Sequence, residues 1–520
     1  MSSMSCTKSI IHKNMEERLS QGEFNHVWKM HPNPKWESTG TKPWRTLFLE
    51  LTMLYAHAEL FFNKGVKLDK YVFTFPLAFG KEERKSYHSK AQSALRKVRQ
   101  YCYGTNPSTD HFEYIDTVDE STAIAESVGA SATTVTMDVF IDIGGGTADV
   151  AVRYNKKFLV LDSIKVAGNT FFKFAEKNFK GDLHGASDFK KHLRRLLQGK
   201  DDGAEFKIIN LDDEYKDKLG VTYSVAINAL DDEQFRDREM AILKKTMGVR
   251  SYQKYRTRLF FRHVLTYALV QACAAVVERK IKLTSGLKLV LGGNGWGLMV
   301  FADMPRSFKR LTQEATEILN LLKRELLPTL EEDERECLET LKIFNLELLN
   351  ESDLSKAKTD VALGALNANP NRLSNQSTTP YAGITINNLK INDFDSANVR
   401  WCERWGFDEL KEKFGFMDRV AEASFDAPEN QEQPLDKVLS VFTCVGNTRT
   451  NQEDNMPAAA WANINGKLSE SINEMRGERV EQSPINFFVS NVLYPQDSPR
   501  DVLDTLAEKN GQFRADSDEE

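Results

Sequence analysis

Apolar residues at helical spacing mark the first regular segment of this chain. Leu47, Leu51, Leu54 and Ala58 recur three or four residues apart, and Pro43, a residue favoured in the first turn of a helix, precedes them. The pattern predicts one amphipathic helix. The first forty residues are polar and show little periodicity, so we expect them to form a weakly ordered extension.

Short apolar runs predict strands further along the chain. YVFTF at 71–75 and YIDTV at 114–118 are typical of strands, and the charged stretch at 81–101 between them is typical of a helix. ESTAIAESVGA at 120–130 predicts a helix of small residues. Such residues let another backbone come close, so we expect this helix to pack tightly.

Three strands separated by turns are predicted next. MDVFIDI at 137–143 leads into a glycine turn, and TADVAVRY at 147–154, a polar turn at 155–157 and FLVLDSI at 158–164 follow. This order is typical of an antiparallel meander, and it differs from a strand-to-helix phosphate loop.

The glycine turn indicates anion binding. Gly144, Gly145 and Gly146 are consecutive, and glycine loses much conformational entropy on folding, so such a run usually lies where another group approaches the backbone. Phosphate is the obvious group, because consecutive N–H groups at a bare hairpin tip form a nest for its oxygens. A Walker loop does not fit, since GxxxxGK[ST] is absent, and Asp149 stands where the dinucleotide fingerprint needs a glycine.

A second strand-to-glycine transition follows the charged middle of the chain. Residues 181–250 are mixed and highly charged, which indicates an inserted subdomain, and an apolar helix around 264–277 leads to LKLVLGGNGWGL at 287–298. The pattern at 308–349 is helical, and KAKTDVALGALNA at 356–368 predicts another small-residue helix.

The last part of the chain, 370–520, carries weaker signals. It is rich in Asn and Asp, and YAGITI at 381–386 and INFFVSNVLY at 485–494 are strand-like pieces. The chain ends in the acidic sequence DSDEE, which predicts a disordered tail.

Composition limits the classes of function. The 520 residues, 41% of them hydrophobic, exceed what one core usually supports and predict two or three packed units. A formal net charge of −6 argues against a general nucleic-acid binder. Six cysteines without a CxxC pair indicate neither a disulfide framework nor a zinc site. The longest apolar run is too short to span a bilayer and no secretion signal is present, so we expect a cytoplasmic protein without membrane contact.

Four segments occur in the order of one ATPase superfamily. ESTAIAESVG resembles its first connecting segment, DIGGGTADVAV its second phosphate loop, LVLGGNGWGL its adenosine loop and KTDVALGALNA its second connecting helix. Together they resemble the domain shared by actin, the seventy-kilodalton heat-shock chaperones, bacterial actin-like proteins and sugar kinases, with the chaperone-type and bacterial members most similar. The resemblance implies an α/β, ribonuclease-H-like actin-type ATPase fold whose two lobes bind ATP or ADP with Mg²⁺ in a cleft.

The resemblance also implies roles for residues around the phosphates. The three glycines of the turn would bind phosphate oxygens, and Thr147 would hydrogen-bond the terminal phosphate. Asp142 would lie beside the metal and its waters, where a carboxylate suits magnesium. Asp149 is similar to the second acidic position of the loop. Glu120 would help to orient the attacking water or the hydration shell of the metal, which makes Glu120, Asp142 and Thr147 the candidate catalytic residues.

Further residues are implied on the nucleoside side of the site. Gly292, Gly293, Asn294 and Gly295 would let the backbone lie against ribose and base. Gly168, which opens a predicted helix, is assigned to the nucleotide site as well.

Simpler interpretations compete with these roles. The glycine triplet could be a structural bulge, and GGNGWG could be a plain loop, in which Trp296 replaces the small or polar residue usual for the superfamily. Glu120 could cap its helix, since acidic residues favour helix N-termini. The small residues of the two connecting helices could serve ordinary packing, or a hinge between lobes.

The first phosphate loop of the superfamily has no counterpart here. The only Asp-x-Gly before residue 150 is Asp142-Ile143-Gly144, so the predicted first lobe is incomplete. Three explanations compete: upstream strands outside this sequence, a degenerate member that serves as a scaffold, or a substitute segment. We favour the first, because so complete a second loop is unexpected in a protein that has discarded nucleotide.

The sequence thus predicts a nucleotide-switch protein that binds Mg-ATP and acts through a protein partner. The motifs support ATP binding more directly than turnover, and a non-catalytic scaffold, a small-molecule kinase and a filament-forming protein are alternatives. The predicted domains are a polar extension (1–40), a partial first lobe with the first connecting helix (41–137), the second-lobe core (138–180 and 251–350), an inserted subdomain (181–250), the second connecting helix (351–369) and a C-terminal extension (370–520).

Overall fold

A computed structural model divides the chain into two compact units. Unit 1 comprises Met1–Val128, Ala175–Gly248 and Ser355–Asn375, and unit 2 comprises Gly129–Phe174, Val249–Leu354 and Gln376–Glu520. The structure describes residues 44–76, 81–106, 111–128, 136–155, 157–168, 251–293, 295–296, 308–349, 357–368, 391–392, 398–399, 441–442 and 484–494. The predicted polar extension, the inserted subdomain and YAGITI lie outside the described residues.

The described helices and strands follow one another in this order. Unit 1 begins with α1 (Trp44–Lys64), β1 (Lys70–Phe75), α2 (Lys81–Tyr103), β2 (Glu113–Asp119) and α3 (Glu120–Ser127). Unit 2 contains β3 (Thr136–Ile143), β4 (Ala148–Tyr154), β5 (Lys157–Ile164), α4 (Ser251–Glu278), β6 (Gly286–Gly292), α5 (Phe308–Leu326), α6 (Glu332–Glu339) and β7 (Ile343–Leu348). Unit 1 then adds α7 (Ala357–Asn367), and unit 2 adds β8 (Ile391–Asn392), β9 (Asn398–Val399) and α8 (Pro484–Phe487), which continues as a π-helix over Phe488–Leu493.

Unit 1 is built on a crossover between parallel strands. Strands β1 and β2 pair in parallel, and α2 joins them, since parallel neighbours need a long connection. Helix α1 packs on α2, with Leu49 and Met53 in the same buried cluster as Leu95 and Val98. The predicted helix after Pro43, the two strands and the charged helix between them are therefore confirmed.

Two helices of small residues pack against each other in unit 1. Helices α3 and α7 are in contact, and Ala123 of α3 is buried together with Ala365 of α7 and the adjacent Ala368. A Cβ atom on Gly364 would lie only 1.6 Å from the carbonyl oxygen of Ala123. The predicted close approach of these helices is present, and it depends on glycine at this crossing.

Unit 2 contains a mixed five-stranded sheet in the order β5-β4-β3-β6-β7. Strands β3, β4 and β5 form the predicted antiparallel meander, whereas β6 pairs in parallel with β3 and β7 pairs in parallel with β6. Every residue of β3 is buried, as expected for the central strand of a covered sheet. The described chain thus has a mixed α/β fold.

Helix α4 covers one face of this sheet. It contacts β3, β4 and β5. Its stretch Arg258–Val277 is long and apolar enough to cross a membrane by length and composition alone, yet it lies inside the protein. The side chains of Arg258 and Arg262 both pair with Glu314 of α5. These features are those of a core helix anchored by buried ion pairs.

Two sequence predictions of secondary structure are wrong. Residues 308–349 are not helical throughout, because the last part is β7, in which Leu346 and Leu348 are buried while Asn345 is exposed. That alternation has the period of a strand. INFFVSNVLY is helical rather than strand-like. Its buried residues Ile485, Phe488 and Val489 recur at helical spacing, and the high content of β-branched and aromatic residues in the segment concealed that period.

Candidate functional site

The glycine turn, residues Gly144 to Thr147, closes the hairpin between β3 and β4. Ile143 pairs with Ala148 as the last pair of the ladder, and the Gly144 N–H donates to the Thr147 carbonyl at 2.9 Å. Gly145 at the tip is exposed, while Gly144 and Gly146 are partly exposed. The tip is therefore open to an approaching group.

The backbone of this turn does not itself require glycine. Positive φ angles among the described glycines occur at Gly65, Gly104, Gly286 and Gly293, and not in the turn. A Cβ atom on Gly144 would meet only the Thr147 carbonyl oxygen, at 3.3 Å. Within the described part of the chain, no backbone acceptor takes a hydrogen bond from the N–H of Gly145 or Gly146. Bare backbone with available N–H donors in a turn is suited to binding an anion.

Two acidic residues face each other beside the turn. Asp142 of β3 is the cross-strand partner of Asp149 of β4, and the two residues are only 5% and 2% exposed. At the other end of the same face, the equivalent pair is Asp138 and Arg153, whose carboxylate and guanidinium lie 3.1 Å apart. Like charges placed directly opposite in a sheet are destabilising, so a cation beside Asp142 and Asp149 would relieve their repulsion.

The carboxylates of Asp142 and Asp149 suit a magnesium ion that is also coordinated by a bound phosphate. Among the described residues there is no group of three or more His, Cys, Asp or Glu side chains that could hold a metal by themselves. Mg²⁺ commonly takes one or two carboxylates and completes its shell with water and phosphate oxygens. Asp142 and Asp149 could supply these one or two carboxylates.

Thr147 is engaged with the acidic pair. Its hydroxyl donates to Asp149 Oδ2 at 3.1 Å, and the residue is buried. A hydrogen bond from this hydroxyl to a terminal phosphate therefore requires exchange of the bond to Asp149. The predicted phosphate contact of Thr147 stays a prediction.

The second glycine turn begins at the end of β6 and lies against the end of β3. Parallel pairing puts Gly292 beside Asp142. Gly293 has φ +85, and a Cβ atom there would lie 2.0 Å from Asp142 Oδ1; a Cβ atom on Gly295 would lie 2.2 Å from Ile143 Cγ2. Packing inside unit 2 thus explains both glycines, and their predicted contact with ribose and base stays a prediction. Asn294 lies outside the described residues.

Trp296 belongs to the core. It is fully buried, its ring stacks on Phe261 at 5.5 Å between centroids, and its Nε1 donates to the Ile141 carbonyl at 3.2 Å. A side chain beneath β3 in this way supports the strand that carries Asp142. Packing under the site therefore explains a large aromatic side chain at position 296.

Gly168 contacts the first glycine turn directly. Its N–H donates to the Gly144 carbonyl at 3.1 Å. Gly144 is consequently held through both of its backbone polar groups. The sequence assigned Gly168 to the nucleotide site, and the structure places it beside the phosphate-loop candidate.

Glu120 belongs to unit 1, whereas the other described candidates belong to unit 2. Asp119 caps α3: it accepts hydrogen bonds from the Thr122 N–H and from the Thr122 hydroxyl, both at 2.7 Å. Glu120 is the first residue of the helix and is partly exposed. Asp119 is therefore the N-cap residue, while Glu120 lies in the first turn, where a carboxylate favours a helix N-terminus. The catalytic role of Glu120 stays a prediction.

A buried polar network near β5 was not foreseen from the sequence. The Tyr267 hydroxyl and the Asn486 amide both donate to Asp162. Burial raises the pKa of Asp162 to about 6, while the hydrogen bonds from Tyr267, the Ser163 N–H and Asn486 limit the rise. Asn486 and Ser490 stand four residues apart on one helical face, and this polar spacing in an apolar segment was the available signal.

His263 of α4 holds two C-terminal pieces of unit 2. Its Nε2 lies 2.7 Å from the Phe442 carbonyl and its Nδ1 lies 2.7 Å from the Tyr494 hydroxyl. The carbonyl only accepts, so Nε2 carries the proton and the neutral ring accepts from Tyr494. Burial lowers the pKa of His263 to about 3, and the hydrogen bond to Phe442 offsets part of that effect.

Comparison with known proteins reveals distant structural similarity. No protein-family model matches the chain, and no curated protein matches it. Among solved structures, the chain is similar to the crystal structure of MreB5 of Spiroplasma citri bound to ADP, with 22% identity and a TM-score of 0.20 over 29% of this chain. The match spans 44% of the length of that protein. A similarity of this size does not establish a shared fold.

Proposed function

We propose that unit 2 binds a nucleoside triphosphate or diphosphate, with its phosphate groups at the glycine turn. One observation carries the proposal: an exposed hairpin tip of three glycines, which the backbone angles do not require, lies beside a buried cross-strand pair of aspartates. Backbone N–H groups at the tip suit phosphate oxygens. Asp142 and Asp149 suit the cation that accompanies a nucleotide.

The strand order supports a more specific form of this proposal. Three antiparallel strands followed by two parallel ones, in the order β5-β4-β3-β6-β7, are the arrangement of a ribonuclease-H-like sheet. The first glycine turn joins β3 to β4, and the second glycine turn follows β6. This placement supports an actin-type ATPase in which Asp142 holds Mg²⁺, which would supply charge neutralisation at the phosphates.

We propose that Glu120 orients the attacking water, that Thr147 contacts the terminal phosphate, and that the nucleotide state is read by a protein partner in the cytoplasm. A non-catalytic nucleotide-binding scaffold is the second candidate, because the sequence contains no Asp-x-Gly before residue 142 that could supply a first phosphate loop. Release of phosphate from ATP by the purified chain distinguishes the two.

Isothermal titration calorimetry with ATP and ADP, with and without Mg²⁺, tests nucleotide binding. Gly145→Val places an isopropyl group at the tip, so we expect a loss of affinity of roughly 10-fold or more. Thr284→Val is the matched control, because it puts the same side chain at an exposed position before β6, at the other end of the strand. Equal affinity in both variants contradicts the site, and no heat from the wild-type chain contradicts the function.

Asp142→Asn tests the metal. The amide keeps the shape of the side chain and removes the charge, so we expect weaker binding of Mg-ATP and a much smaller change for ATP in EDTA. An equal loss in both conditions would show that Asp142 acts on the fold of the turn instead.

A further inference from the structure

The C-terminal segment, residues 484–494, is part of the interior of unit 2. Ile485, Phe488, Val489 and Leu493 are fully buried, and so is Tyr494. The segment is therefore held by packing as well as by the hydrogen bond from Tyr494 to His263. Residues more than 200 positions beyond the end of α4 thus complete the core around that helix.

Polar side chains of the segment bind the end of β5. Asn486 Nδ2 donates to Asp162 Oδ1 at 3.1 Å and to the Ser163 carbonyl at 2.8 Å. Ser490 Oγ accepts from the Lys165 N–H at 3.3 Å and donates to Asn486 Oδ1 at 3.0 Å. The segment therefore fixes side-chain and backbone groups of three residues where β5 ends.

The chain that leaves β5 leads directly to the glycine turn. We call residues 163–168 the connector. Val166 and Ala167 in its middle are fully buried, and Gly168 at its end donates to the Gly144 carbonyl. One end of the connector is thus bound by Asn486 and Ser490, and the other end holds the turn that we assign to phosphate.

We infer that docking of the C-terminal segment and occupancy of the glycine turn by nucleotide phosphate are positively coupled. The inference rests on the proposed function. A docked segment holds the connector, and the connector holds Gly144 through the hydrogen bond from Gly168. The turn is then already ordered, so phosphate binding costs less conformational entropy. By linkage, nucleotide must stabilise the docked segment by the same factor. The nucleotide state becomes readable in the C-terminal part of the chain.

Affinity measurements on the full chain test the first half of the coupling. Asn486→Ala removes three of the hydrogen bonds named above, and we expect it to weaken binding of ADP roughly fivefold or more. Ser490→Ala is a milder second variant, expected to act in the same direction and to remain folded if Asn486→Ala does not. Cys337→Ala is the matched control: like Ser490 it is 1% exposed, but it lies in α6 and bonds to Asp333, so we expect its affinity to stay within twofold of the wild type.

Hydrogen–deuterium exchange tests the reciprocal half. Saturating ADP should slow amide exchange in peptides covering 484–494, and Ser490→Ala should speed exchange in peptides covering 144–147 even without ADP. Normal ADP binding by the wild type, with unchanged affinity in both segment variants, overturns the coupling and leaves the proposed function standing. Absence of ADP binding by the wild type overturns the proposed function and the coupling with it.

Discussion

Gly293 and Asp142 are packed so closely that a Cβ atom on the glycine would lie 2.0 Å from the Oδ1 atom of the carboxylate. The second glycine turn therefore lies against the acidic residue next to the end of β3, and its bare backbone serves the protein's own packing. The first glycine turn differs, because a Cβ atom on Gly144 would meet nothing closer than the Thr147 carbonyl oxygen at 3.3 Å. Two glycine-rich turns at one edge of the sheet thus exist for different reasons.

This difference predicts that replacement of glycine by alanine destabilises the protein strongly at one turn and only slightly at the other. Gly293→Ala combines a clash with Asp142 and a left-handed backbone, at φ +85, so we expect the free energy of unfolding to fall by about 2–4 kcal/mol. Gly144→Ala should change it by less than about 1 kcal/mol. Urea denaturation followed by circular dichroism measures both. Equal losses in the two variants would contradict the packing difference.

The close packing of α3 and α7 predicts that a glycine-to-alanine substitution inside a helix is destabilising here, although it is usually stabilising. Glycine to alanine inside a helix normally stabilises by up to about 1 kcal/mol. At Gly364 the new Cβ would lie 1.6 Å from the Ala123 carbonyl oxygen, so we expect Gly364→Ala to destabilise unit 1 by about 2–3 kcal/mol. Faster amide exchange in peptides covering 120–127 and 357–367 would report it.

A substitution on the same helix provides the control for that crossing. Leu363 precedes Gly364 and is 51% exposed, so Leu363→Ala should leave exchange in both helices close to that of the wild type. If Gly364→Ala behaves like this control, the two helices do not pack as closely as the structure shows.

The sequence predicts the meander and the glycine turn well, because both depend on local signals. Short apolar runs separated by turn residues mark β3, β4 and β5, and three adjacent glycines mark the turn between β3 and β4. Trp296 and the C-terminal segment could not be placed in this way. The burial of Trp296 under Ile141 and the bonds of Asn486 to β5 join residues more than 100 positions apart, and no local pattern encodes such contacts.

The neutral state of His263 predicts acid sensitivity of unit 2. The folded pKa is about 3 because burial disfavours the charged ring, with Arg262 acting in the same direction, whereas an unfolded histidine titrates near 6.5. The unfolded state thus binds more protons between these values, so stability falls as pH drops below about 6.5. From pH 7 to pH 4 we expect a loss of about 3 kcal/mol relative to His263→Gln, measured by urea denaturation at each pH.

The titration of Asp162 should make stability depend on pH in the direction opposite to that of His263. Its folded pKa is raised to about 6, so the folded state binds more protons than the unfolded one above the ordinary value, and stability falls as pH rises towards 6. Asp162→Asn should remove this term, which is about 3 kcal/mol at most. Parallel pH profiles for the wild type and both variants would contradict the two assignments.

Asp119 and Glu120 are neighbours at the start of α3, and we expect their substitutions to affect different quantities. Replacing Asp119 should lower stability, and replacing Glu120 should slow ATP turnover. Asp119 accepts two hydrogen bonds from Thr122, so Asp119→Ala should cost about 1–2 kcal/mol of unfolding free energy. Glu120→Gln keeps the size of a partly exposed side chain and should change stability by less than about 0.5 kcal/mol. If Glu120 orients the attacking water, Glu120→Gln should slow phosphate release by roughly 10²-fold with little change in ATP affinity. Rates measured on the folded fraction decide the matter, because an equal loss of turnover in Asp119→Ala would mean that the position of α3, and not the carboxylate of Glu120, limits the reaction.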